Sequence, residues 1–214
     1  MTPERSDAER AESDRRRVFQ LVAFALAAVA VTIVWIVAVT SGNGGGPHPT
    51  GGSPDVYPAE TIPPPRERSL ARAAARAGCT VRSFPSFGRS HTTKRVHYRT
   101  NPPTSGPHNP FPAADGIYDE PPPTEKLVHS LEHGRVIFQF ALGAPAKVRG
   151  QLKALVKEDP RHVILTANQT AMPFEVAATA WRHYVGCSTV NAATFDALRD
   201  FKIDYRDRAP EQAP

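Results

Sequence analysis

The stretch TEKLVHSLEHGRVIFQFAL, Thr124 to Leu142, changes character midway, and that change sets the fold class. Its first part, Thr124–His133, reads as a short helix ended by Gly134 in the C-cap role. Its second part, Val136–Leu142, is apolar enough for a buried strand. Working outward, Pro145–Glu158 is predicted to be an amphipathic helix with Pro at its start and Val148, Leu152, Leu155 and Val156 on one face. His162–Ala167 reads as a second strand, Val176–Val185 as a third, and Thr194–Phe201 as a closing helix. Upstream, Val96–Tyr98 reads as a short strand before a Pro-rich loop over 99–124. Strands and helices interleave without regular βαβ phrasing. The expected class is α+β, a small mixed sheet packed against helices.

The chain has 214 residues, with Lys+Arg 26 against Asp+Glu 21 for a formal charge of +5. An apolar content of 40% excludes a wholly disordered chain, and 22 Pro with 14 Gly exclude a compact helical bundle. Val18–Val39 carries no charged residue and spans about 33 Å as a helix, enough for a bilayer core and longer than the apolar region of a cleaved signal sequence. Arg15, Arg16 and Arg17 abut it, so the positive-inside rule keeps residues 1–17 cytoplasmic and exports the rest. The expectation is a signal-anchor: a single-pass protein of the cell membrane with an extracytoplasmic C-terminal domain. Residues 40–65 read as a Gly/Pro-rich linker and 66–78 as an Arg/Ala-rich helix, Arg66–Ala77, stopped by Gly78. The folded domain is placed at 79–207 and a disordered tail at 208–214. The membrane and envelope proteins are the expected partners. Dispersed basic residues outside the cell disfavour nucleic acid despite a pI near 9.5.

Cys79 and Cys187 stand at the two ends of the domain. Two cysteines exclude a four-Cys metal site, and export makes a disulfide the expectation over a free Cys187 thiol served by His183. Two segments carry chemistry. In Pro102-Pro-Thr-Ser-Gly-Pro-His108, prolines fix φ and Gly106 permits a turn, which presents the His108 imidazole on a stiff support. In His129-Ser-Leu-Glu132-His133-Gly134, the two His lie i and i+4 on one helical face, with Glu132 close enough to share it.

These segments, PPTSGPH and HSLEHG, with Gly116-Ile117-Tyr118 between them, resemble the signature of a bacterial family called domain of unknown function 3105. The resemblance covers about Cys79 to Tyr205. It implies that His108, His129, Glu132 and His133 lie in the family's central pattern, with His91 matching an upstream histidine, and it supplies no activity. One reading of the residues is a transition-metal site for zinc or copper, with His108, His129 and His133 as ligands and His91 or Glu132 as the fourth. A second is a polar network in which the imidazoles brace the loop and favour the helix C-terminus, leaving an envelope protein-interaction module. A third is a zinc-dependent hydrolase, since His-x-x-Glu-His fits inverted zinc peptidases with Glu132 activating water and Glu158 or Glu175 as a further ligand. A non-enzymatic protein is the expectation.

Overall fold

In the computed structural model, which describes residues 55–211, the apolar runs form the middle of a six-stranded mixed sheet. The elements are α1 (Leu70–Ala77), β1 (Thr80–Ser83), β2 (Gly116–Ile117), α2 (Thr124–Glu132), β3 (Val136–Phe140), α3 (Ala146–Glu158), β4 (Val163–Ala167), β5 (Val176–Ala180), β6 (His183–Cys187) and α4 (Ala192–Tyr205). The strand order is β1-β6-β5-β3-β4-β2. β3 pairs parallel with β4 across the α3 crossover, and β2 adds a short parallel edge to β4. β5 runs antiparallel to both β3 and β6, and β1 closes the other edge against β6.

Alternate residues of the central strands feed two different cores, which is why each strand is buried along its whole length. Val136, Phe138 and Phe140 of β3, with Val163 and Leu165 of β4, pack against Leu152 and Leu155 of α3 and Phe195, Leu198 and Phe201 of α4. Ile137 and Ile164 face the other way, toward Leu127, Val128 and Leu131 of α2 and toward Trp181. The sheet is therefore covered on both faces, by α3 and α4 on one and by α2 on the other. Cys79 and Cys187 are joined in a disulfide, which fastens the end of α1 to the end of β6.

The α+β expectation holds, and several of its details change. Val176–Val185 is not one strand but the hairpin β5–β6, turning at Trp181-Arg182 with Arg182 at φ 71°. That turn has no glycine or asparagine to announce it in the sequence. Val96–Tyr98 is not a strand, whereas β1 and β2 are strands that pairing with β6 and β4 defines. The first helix begins at Leu70, not Arg66. The β3–α3–β4 crossover supplies one βαβ unit where irregular phrasing was expected.

The predicted span 18–39, the tail 1–17 and the first part of the linker lie outside the described residues. No helix among the described residues is long and apolar enough to cross a membrane. The second part of the predicted linker, residues 55–65, is packed on the domain: Tyr57 is 1% exposed and its hydroxyl donates to the Tyr118 carbonyl at 2.8 Å. The predicted tail is also partly engaged, since Glu211 N donates to the Glu132 carbonyl at 3.1 Å.

Candidate metal centre

The last turn of α2 places His129, Glu132 and His133 together, and a Schellman pattern ends it. Gly134 N donates to the Leu131 carbonyl and Arg135 N to the Ser130 carbonyl, with Gly134 at φ 82°. A Cβ at Gly134 would come within 2.9 Å of the Asp207 backbone, so this position needs glycine for space as well as for φ. The Pro-rich loop folds back over this turn. His91 and His108 form an isolated parallel bridge, with Thr92 N donating to the His108 carbonyl at 2.7 Å and His108 N to the Ser90 carbonyl at 3.0 Å. Gly106, at φ 139°, lies against the Tyr98 ring and lets the loop turn just before His108.

Loop and helix together converge four ligating atoms, one each from His91, His108, His129 and Glu132, within 4.8 Å of one another. Ring centroids of His91, His108 and His129 are 4.7 to 5.1 Å apart. The ring nitrogens are already sorted by their backbone partners. His108 Nδ1 donates to the Gly106 carbonyl at 2.8 Å and His129 Nδ1 to the Asn109 carbonyl at 2.6 Å, because a carbonyl only accepts. Each ring therefore turns Nε2 toward the cluster. Burial holds His129 below the usual imidazole range; the Asn109 contact opposes this, and the neighbouring imidazoles reinforce it.

His108 and Glu132 are both essentially fully buried, and Nε2 of one lies 2.9 Å from Oε2 of the other. The distance suits an ion pair, yet the two atoms lack hydrogen-bond alignment and have no other hydrogen-bond partner among the described residues. Glu132 Oε1 is taken by the Arg89 guanidinium. A proton shared between Nε2 and Oε2 should lie near the line joining them. A metal ion sits off that line, at the point where lone pairs from several ligands meet, roughly 2.0–2.2 Å from each.

His133 belongs elsewhere. Its Nε2 is 2.9 Å from His129 Nε2 and 3.2 Å from Glu211 Oε2, and these three residues form a second group that could hold an ion. The sequence reading put His133 with His108 and His129 and left the fourth place to His91 or Glu132; the structure brings both of these to His108 and His129 and sets His133 in the second group. It also adds Arg89 and Glu211, neither of which sequence reasoning found. Glu158 pairs with Arg199, and neither it nor Glu175 joins either group. His183 is not near a thiol nucleophile, since Cys187 is bonded to Cys79.

Fold and site define a disulfide-closed α+β domain with a histidine–carboxylate cluster where a Pro-rich loop meets the end of a helix. The chain belongs to the family described as Protein of unknown function (DUF3105), which matches residues 90–214 and so takes in every residue of both groups. No curated protein and no solved structure matches it.

Proposed function

We propose that this protein binds one transition-metal ion, zinc or copper, through His91, His108, His129 and Glu132, in a domain held outside the cell by the 18–39 anchor. The observation that carries the reading is the pair of buried, unaligned atoms His108 Nε2 and Glu132 Oε2 facing one another inside the cluster. A misaligned pair recovers only part of the roughly 1–3 kcal/mol that burying each polar group costs, and a shared cation would recover the rest. Three imidazoles and one carboxylate suit either ion. Position adds to this, because the negative end of the α2 dipole favours a cation there. The Nδ1–carbonyl contacts fix both rings before an ion arrives, as outer hydrogen bonds do in metal sites.

A hydrolase with Glu132 as water-activating base is less well supported. That carboxylate is buried, held by Arg89 and turned toward His108. The test is elemental analysis of the purified full chain together with thermal melting. We expect close to one ion per chain and a rise in melting temperature on adding zinc or copper(II), both lost in His108→Ala and His129→Ala. A metal-free protein whose melting ignores both ions returns the histidines to a structural network.

A further inference from the structure

The two groups share His129, and His129 has one nitrogen to give. Its Nδ1 is bound to the Asn109 carbonyl, so Nε2 alone faces both groups. One lone pair holds one ion, and the groups cannot both be filled. They also differ in depth. The inner group ends on His108 and Glu132, at 0% and 1% side-chain exposure; the outer ends on His133 and Glu211, at 17% and 46%. Arg89 links them, reaching Oε1 of Glu132 through Nε and Oε1 of Glu211 at 2.8 Å through a terminal nitrogen. Each carboxylate is thereby left with Oε2 facing its own imidazole, His108 for Glu132 and His133 for Glu211.

We propose that His133 and Glu211 form an outer loading seat, which captures the ion from solvent and passes it to the inner seat while His129 keeps hold of it. This rests on the inner site proposed above and adds its route of entry. Glu211 lies on a segment tied beside the site by Asp207 N to the Gly134 carbonyl and Glu211 N to the Glu132 carbonyl. A negative, half-exposed carboxylate there raises the local concentration of a cation, and with 2.9 Å between their Nε2 atoms His133 and His129 reach the same ion before His108 replaces His133. Coordination only changes hands: His133 and Glu211 leave as His91, His108 and Glu132 bind, with no redox step.

The experiment is stopped-flow exchange of zinc between the full chain and a chromophoric chelator, for the wild type, Glu211→Gln and His133→Gln. A seat used only in passage lowers the barrier in both directions. Both variants are therefore expected to slow capture and release alike, on the order of tenfold, while the dissociation constant and a stoichiometry of one stay as in the wild type. Unchanged rates with tight binding overturn the relay alone, and mean that ions enter past the exposed His91. Faster release with unchanged capture also overturns it, making His133 and Glu211 equilibrium ligands, as do two ions per chain. A wild type that takes up no zinc and no copper sinks the inner site and the relay together. Glu211 is exposed enough that its variant tests the route even should His133→Gln disturb the cap of α2.

Discussion

His129 is the residue on which both groups turn, and its protonation has a consequence for stability. Burial depresses its pKa, so the folded protein keeps the ring neutral while the unfolded chain titrates near the ordinary value of about 6.5. As pH falls through that value the unfolded state gains a proton that the folded state refuses, and stability drops until the lower, folded pKa is passed. For the metal-free protein we expect unfolding free energy to decline below about pH 6.5, by at most ~1.4 kcal/mol per unit from this one ring. His129→Gln should remove that part of the slope in urea titrations at a series of pH values. A slope that survives the substitution unaltered assigns it to other groups. Much of this residue's setting was legible in HSLEHG, because helical spacing alone brings positions 129, 132 and 133 to one turn. The Asn109 carbonyl, Arg89 and Glu211 were not legible. They reach the site across 20, 43 and 78 residues of chain, and no local pattern encodes such meetings.

Among the elements, the strongest periodic segments were readable and the short edges were not. β3 and α3 carry their own signal in apolar spacing, whereas β1 and β2 are strands only because β6 and β4 stand beside them. α4 begins earlier than the sequence suggested because Asn191, its N-cap, and Thr194 in its first turn form a capping box. The same helix holds a conflict. Asp200 is 6% exposed, its Oδ2 has no hydrogen-bond partner among the described residues, and its helix neighbours Asp196 and Asp204 are acidic. Burial first, then those like charges, push its pKa up to about 6. A carboxyl whose folded pKa is raised loses stability as pH climbs from its unfolded value, about 3.9, to the folded one. Asp200→Asn mimics the protonated form at every pH. It should stabilise the domain at pH 7 by about 1–3 kcal/mol, the gap opening between about pH 4 and 6 and staying level above. A gap that is constant with pH places the effect in packing instead of ionisation.

For the whole molecule, the question is where the folded unit starts. A Gly/Pro-rich composition argued for a tether up to residue 65, and composition misleads there because one aromatic residue outweighs the prolines around it. Tyr57 enters the α3 core with its ring edge-on to Phe140 at 5.7 Å, and Val56 and Ile62 pack beside it. α3 is shaped to receive this segment: Arg149 donates to the Val56 carbonyl at 2.6 Å and Lys153 to the Tyr57 carbonyl at 3.0 Å. Gly150 lies so close beneath it that a Cβ would stand 2.3 Å from the Pro58 carbonyl oxygen. Two changes made from opposite sides should therefore have one effect. Tyr57→Ala removes a buried ring and a hydrogen bond, at a cost of roughly 3–5 kcal/mol, and Gly150→Ala pushes the segment off α3. A fragment starting at residue 66 should melt well below one starting at residue 55, close to the Tyr57→Ala variant, by calorimetry on the two fragments and both full-length variants. If the two fragments melt together, residues 55–65 rest on the domain without holding it, and the boundary returns to residue 66. The proposed metal ligands gather at the last turn of α2, which packs on the opposite face of the sheet from the core that Tyr57 joins. Zinc uptake by the shorter fragment should consequently weaken only as far as its folded fraction falls, which separates a loss of fold from a loss of ligands.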